Sequence, residues 1–134
     1  MNLSAKKFEA SLHLGFLNEC LKKRGMKPTD LDFLPPTGYV VFYHTQPVCA
    51  GFMIKCDNKM AINTDLISDI DVPKLLRNDA VEYLRKTLYF DAKKDGIKLI
   101  TVFTNIIKHE LRLKSLGYID IDKNLTQLGR FLWL

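Results

Sequence analysis

Apolar residues recur at every fourth position early in the chain: Phe8, Leu12, Phe16 and Cys20 fall on one line, with Leu14, Leu17 and Leu21 beside it. That spacing belongs to a helix with one face turned inward and predicts a helix over residues 4–24. Ser4 stands at its N-cap position and Gly25 at its end, while Gly15 in the middle weakens it. Residues 28–36 form a connector in which Pro35-Pro36 forbids helix. The period then changes. Residues 38–44, 48–55 and 60–68 are rich in Tyr, Val, Phe and Ile, as strands are. Thr45-Gln46-Pro47 and Asp57-Asn58 supply the turns, and such short turns predict an antiparallel meander.

Residues 69–73 read as a polar connector to a second helix, whose apolar face is Ala80, Leu84 and Leu88 with Val81, Thr87 and Ala92 beside it. Pro73 lies ahead of this helix and Gly96 ends it. Residues 97–104 are an apolar run of strand length, so strand, crossover helix and strand make a βαβ unit with parallel pairing. A shorter helix follows over residues 105–116, capped by Asn105 and ended by Gly117. Residues 118–122 and 127–134 are the closing strands. The order α, β, β, β, α, β, α, β, β predicts an α+β (α/β) fold: a mixed antiparallel and parallel sheet flanked by helices.

The length, 134 residues, fits one domain over 1–134, and an apolar share of 47% is enough for a core. No apolar run approaches the roughly 18 residues that cross a bilayer, and polar residues interrupt the N-terminus where a signal peptide is apolar. A soluble, cytoplasmic protein with no membrane partner is expected. Cys20, Cys49 and Cys56 are irregularly spaced and read as free thiols. No Cys-x-x-Cys or His-x-x-x-His pair suggests a metal site.

The net charge of +5 favours polyanionic partners. Its one cationic triplet, Lys22-Lys23-Arg24, falls at a helix C-terminus, where the dipole accommodates cations without a ligand. A nucleic-acid-binding module ranks last, because stacking aromatics do not alternate with the cations. His13, His44 and His109 form no relay, and no Gly-x-Ser-x-Gly elbow occurs. Phe131 and Trp133 read as core residues, or as a contact with a second copy of the chain. The strand-to-helix junction over residues 60–84 is a place for anions, since free N–H groups and the helix dipole point out of it, with Lys74 and Arg77 close by.

Several stretches, in order, resemble the GNAT superfamily of N-acetyltransferases. Leu34-Pro35-Pro36-Thr37-Gly38-Tyr39-Val40-Val41 followed by Pro47-Val48-Cys49-Ala50-Gly51-Phe52 resembles two strands of small GNAT-like proteins, including ones encoded by tailed phages. Residues 61–67 resemble the next strand. Arg77-Asn78-Asp79-Ala80-Val81-Glu82 falls where that family carries its phosphate loop, (Gln/Arg)-x-x-Gly-x-(Gly/Ala), and Leu116-Gly117-Tyr118 resembles its Leu-Gly-Phe landmark.

The resemblance implies acetyl-CoA as co-substrate and an amine, small or on a protein, as acceptor. Pantetheine would lie along the backbone of Asp65, Leu66 and Ile67. The diphosphate would sit on the amides of residues 77–82, namely Arg77, Asn78, Asp79, Ala80, Val81 and Glu82, with Asn105 reaching the cofactor from the far side. Asp65 and Asp69 are the carboxylates nearest this cleft, and strand alternation places them on one side. Either would serve as the base for the amine, with Glu110 as a further carboxylate. Ala80 and Glu82 replace the usual small residues of the loop, and Leu113 replaces a tyrosine acid. These departures motivate the alternative of a catalytically impaired protein of this fold that binds a macromolecule, such as a host protein in a phage setting.

Overall fold

The first residues form a strand rather than a helix. Leu3 and Ala5 alternate with Ser4 and Lys6, and β1 (Leu3–Lys7) pairs antiparallel with β2 (Thr37–Tyr43), Ala5 opposite Val41 and Leu3 opposite Tyr43. The helical period begins only after Phe8, in α1 (Ala10–Lys23). Ser4 therefore caps nothing. The N-cap is Glu9, whose side chain makes no capping bond; instead its N–H donates to His13 Nδ1 at 2.9 Å. Sequence-distant pairing with β2 decides the state of residues 3–7, and a local period cannot register it.

The computed structural model describes residues 2–102, 111, 113–115 and 117–119. The chain divides into two compact units, Met1–Val102 and Phe103–Leu134. In the first, β2, β3 (Gln46–Lys55) and β4 (Met60–Ser68) form the expected meander, and β5 (Leu99–Val102) returns parallel to β4 after α2 (Lys74–Lys94). The five-stranded sheet runs in chain order, β1-β2-β3-β4-β5. In the second unit Leu111 and residues 113–115 are helical, and Gly117, at φ +92°, ends that helix with Tyr118 N–H bonded to Leu113 O. The expected cap at Asn105 and the closing strands at 118–122 and 127–134 lie outside the described residues or at their margin.

The two faces of the sheet carry separate apolar clusters. Val41, Cys49, Met53 and Ala61 meet Ala80, Leu84, Leu88 and Ala92 of α2 on one side. Val40, Ala50 and Phe52 meet Leu17 of α1 on the other, with Phe8 and Ile67 packed against them. Helix α2 approaches most closely over Gly51, where a Cβ would stand 2.9 Å from Leu84 Cδ2. Cys20 and Cys49 are buried free thiols, and burial pushes their pKa values up to about 11 and about 12. Apolar contact is not directional, so polar pins fix where α2 stops along its axis. Tyr39 and Lys55 both hydrogen-bond Asp91, and Lys55 also reaches Asp95 at 2.6 Å. Burial raises the Asp91 carboxyl pKa, but the bonds from Lys55 and Tyr39 outweigh it and leave it below the usual range.

The start of α1 is pH-sensitive in a defined direction. His13 is buried among Phe8 and Phe42, and burial lowers its pKa below 6.5. Its Nδ1 accepts a bond only while unprotonated. The unfolded chain therefore binds a proton more readily than the folded one. The contribution is complete above the unfolded value and is lost as pH falls through the folded one. Urea unfolding of the wild type and of His13→Gln at pH 7.5 and pH 5 should show a larger acid loss in the wild type. Equal losses would contradict this role for His13.

Candidate active site

Strand β4 is paired differently along its two edges. Towards β3, Thr64 lies opposite Phe52 and Ile67 opposite Ala50, so the single residue Gly51 faces both Asp65 and Leu66. This is a β-bulge: one extra residue, which bends the strand and reverses the faces beyond it. The reversal is visible in the core. Ala61 packs with the α2 cluster and Ile67 with the α1 cluster, although an unbroken strand would place both on one face. The alternation expected to align Asp65 with Asp69 is therefore broken between them. Strand β4 also ends at Ser68, one residue before Asp69.

The ladder bonds say which backbone groups are free. Asp69 N–H donates to Val48 O at 2.9 Å and Cys56 N–H to Met60 O at 2.8 Å. In an antiparallel ladder these bonds fix the parity. Ile62, Thr64 and Ile67 turn their amides and carbonyls to β3, while Ala61, Asn63 and Ser68 turn theirs away from it. Ala61 and Asn63 lie beside β5, level with Ile100 and Val102. Among the described residues the pairing with β5 runs from Met60 to Asn63. Ser68 and the outward groups of the bulge face an edge with no β5 partner among the described residues. At the parting point, Asn63 Oδ1 and Thr64 Oγ1 are buried without a hydrogen-bond partner among the described residues.

A cationic clasp holds the next residues. Gly25, at φ +70°, ends α1 with Met26 N–H bonded to Leu21 O and Gly25 N–H bonded to Lys22 O, which fixes the last turn. From that turn Lys23 Nζ reaches Asp69 Oδ1 and Asp71 Oδ2, both at 2.9 Å. Arg24 Nη2 donates to Ser68 O at 2.9 Å and Ser68 Oγ at 3.1 Å. Asp69 Oδ1 also accepts from Asp71 N–H at 3.0 Å. Burial raises the Asp69 carboxyl pKa, but the bonds from Lys23 and the Asp71 amide outweigh it, with Arg77 adding its charge, and hold it below the usual carboxylate range.

Helix α2 starts earlier than the phosphate-loop resemblance implies. Pro73 is its N-cap, and Arg77 N–H makes the first helical bond, to Pro73 O at 3.0 Å. The amides of Lys74, Leu75 and Leu76 precede that bond and have no acceptor within the helix. Those of Arg77, Asn78, Asp79, Ala80, Val81 and Glu82 belong to its ladder and are not free to cradle a ligand. The cause is compositional: the segment has no glycine and is rich in Lys, Leu, Arg and Ala, good helix formers. Ala80 and Val81 are buried in the core, Asn78 is half-buried and Asp79 exposed. Glu82 turns along the helix surface to Lys86, 3.6 Å away. Leu75 is 78% exposed, so the start of the helix is open to solvent.

Of the expected site residues, the structure brings together Leu66, which is 36% exposed, the Asp65 backbone in the bulge, Asp69 and Arg77. Ile67 turns its backbone to β3 and its side chain to the α1 cluster. Asn105 and Glu110 lie outside the described residues. Sequence reasoning missed Lys23 and Arg24, which it read as a solvated helix end, and the polar pair Asn63 and Thr64. The available signal was that the only cationic triplet precedes a chain whose strand-to-helix connector, Asp69 to Asp71, is acidic.

Amide hydrogen exchange reads this edge directly. Ile67 and Asp69 N–H should be protected, and Ser68 N–H between them should exchange at least about tenfold faster. Equal protection at all three positions would mean that the edge is not free.

No family model and no curated protein matches this chain by sequence. Solved structures match its fold. AAC(6′)-Iy, solved with the bisubstrate analogue CoA-S-monomethyl-acetylneamine, gives a TM-score of 0.69 at 9% identity, over 98% of this chain and 100% of that one. An aminoglycoside acetyltransferase from an uncultured soil metagenomic sample, in complex with sisomicin, gives 0.65 at 11% identity, over 98% and 97%. A GNAT-family acetyltransferase from Staphylococcus aureus gives 0.63 at 16% identity, over 92% and 89%. Identities this low speak to architecture, and on that evidence the chain has the fold of the GNAT N-acetyltransferases.

Proposed function

We propose that this chain transfers an acetyl group from acetyl-CoA to an amine. The observation that carries the reading is the edge of β4 beyond Asn63, which has no strand partner among the described residues and leads to the solvent-exposed start of α2. An extended pantetheine arm has amides that suit such an edge. A diphosphate suits the free amides of Lys74, Leu75 and Leu76, which sit at the positive end of the helix dipole. In this reading Lys74 and Arg77 add charge, while Ala80 and Val81 act only as the helix's packing face. Asn63 Oδ1 and Thr64 Oγ1, on opposite faces of β4 and without a hydrogen-bond partner among the described residues, flank the strand at the level where the thioester end would lie in this reading.

The chemistry is amine attack on the thioester carbonyl, collapse of the tetrahedral adduct, and departure of the CoA thiolate. In this reading a backbone N–H at the bulge would stabilise the oxyanion. The ammonium form of the amine must first lose a proton. Asp69 is a poor base, since Lys23, Arg77 and the Asp71 amide all favour its charged form. Asp65, at the bulge, is the better assignment, acting directly or through water. The fold-sharing enzymes that act on aminoglycosides make polyamines a first acceptor panel. A second reading, a binding protein without turnover, is favoured by the helical phosphate segment and by Leu113. Both readings allow the cofactor to bind, and only the first requires acetylated product.

Acetyl-CoA at a hundredfold excess over its Kd should stabilise the native state by about 2.7 kcal/mol, read as a rise in Tm. No shift at millimolar acetyl-CoA would end the transferase proposal. A shift without acetylation of any amine in the panel would leave the binding protein. Where turnover is found, Asp65→Asn should lower kcat roughly 10²- to 10⁴-fold with little change in acetyl-CoA affinity. An unchanged kcat would remove Asp65 from the mechanism.

A further inference from the structure

We propose that Arg24, reaching from the end of α1, is a specificity-determining contact for the anionic part of the ligand at the β4 edge. This inference rests on the acetyl-CoA reading above. Three observations assign it. Beyond the bulge, Ser68 is the residue of β4 whose carbonyl points away from β3, and Arg24 Nη2 donates to that carbonyl at 2.9 Å. A ligand pairing along the open edge must therefore leave the strand at Arg24 and turn towards α2. Arg24 marks the corner between the edge and the helix start.

The second observation concerns charge. Lys23, its neighbour, is paired with Asp69 and Asp71 at 2.9 Å. Arg24 bonds only to neutral acceptors, Ser68 O and Ser68 Oγ, among the described residues. Its positive charge is not offset by its own partners. The carboxylates near it are already matched: Asp69 lies between Lys23 and the charge of Arg77, and Asp71 is held by Lys23.

The third is the small number of donors at the helix start. With α2 helical from Lys74, only the amides of residues 74–76 are free, so the backbone offers fewer donors than a glycine loop would. A guanidinium fixed by two bonds is a preorganised donor fork for phosphate oxygens, and Arg suits this geometry where Lys does not. Arg24 is exposed, so its remaining N–H groups are accessible.

The test separates charge from shape. Binding of acetyl-CoA and of S-acetylpantetheine, which lacks the diphosphate and nucleotide, is measured by calorimetry for the wild type, Arg24→Ala, Arg24→Gln and Arg24→Lys. Arg24→Gln keeps a polar amide donor on a shorter side chain and removes the charge, so comparing it with Arg24→Lys separates charge from reach. Arg24→Ala and Arg24→Gln should each weaken acetyl-CoA roughly tenfold, and Arg24→Lys should recover part of the loss. S-acetylpantetheine should change by less than about twofold, and the salt dependence of acetyl-CoA binding should become shallower in the two neutral variants. Equal weakening of both thioesters would make Arg24 a shaping residue only and overturn the proposal, as would unchanged acetyl-CoA binding. A wild type that binds neither thioester would remove the acetyl-CoA reading itself. A wild type that binds both while Arg24→Gln is indistinguishable from it would remove this inference alone.

Discussion

The structure turns on the requirement that every backbone group of β4 find a partner, on two edges that are not equally supplied. β3 accompanies the strand along nearly its whole length, whereas among the described residues β5 accompanies it from Met60 to Asn63. The bulge at Asp65 and Leu66 falls just beyond the last described pair with β5, Asn63 and Val102. It keeps the pairing to β3 intact while bending the strand, so that residues beyond it present the opposite faces. One local irregularity thus moves Ile67 into the α1 cluster and sets the direction in which the chain leaves for α2. Gly51, opposite the bulge, lets Leu84 come close enough for α2 to cover the same spot from the other side.

Helix α2 is fixed at both ends by charge and in its middle by packing. At its C-terminal half Tyr39 and Lys55 pin Asp91. Ahead of its N-terminus Lys23 and Arg24 hold the connector from Ser68 to Asp71. Apolar burial supplies most of the driving force but allows a helix to slide by fractions of a turn. The polar contacts remove that freedom. Isolated surface ion pairs contribute little to stability, so the value of the Lys23 pairs lies in geometry rather than in free energy. They determine where the free amides of Lys74, Leu75 and Leu76 stand relative to the β4 edge.

Much of this was legible in the residues. The meander of β2, β3 and β4, the parallel return to β5 and the Ala80, Leu84, Leu88 face of α2 all follow from local period and short turns, because neighbours in sequence are neighbours in space there. The failures have a shared physical origin. β1 was hidden because Leu3 and Ala5 are stabilised by β2, more than thirty residues away. The bulge was hidden because alternation carries no mark of an extra residue until its partner strand is known. Lys23 and Arg24 looked complete as a helix end, since the dipole alone accounts for cations there. The helix start after Pro73 was legible, but the resemblance laid a glycine-rich phosphate loop over residues 77–82, and a segment without glycine follows helical propensity instead.

The replacement of a tyrosine acid by Leu113 is a smaller obstacle to transfer than the loss of a base would be. In the proposed transfer the leaving group is a thiolate, the conjugate base of a thiol several orders of magnitude more acidic than an alcohol. Such a group departs without a proton far more readily than an alkoxide, so a missing acid slows the step without closing the route. The demand that cannot be relaxed lies on the other side of the carbonyl. An amine is protonated at neutral pH, and its nucleophilic lone pair appears only when a base or water takes that proton. Asp69 is held in its charged form by Lys23, Arg77 and an amide, which lowers its affinity for a proton. The clasp that aims α2 therefore weakens Asp69 as a base, and in the proposed transfer the burden of proton removal would pass to Asp65 or to water.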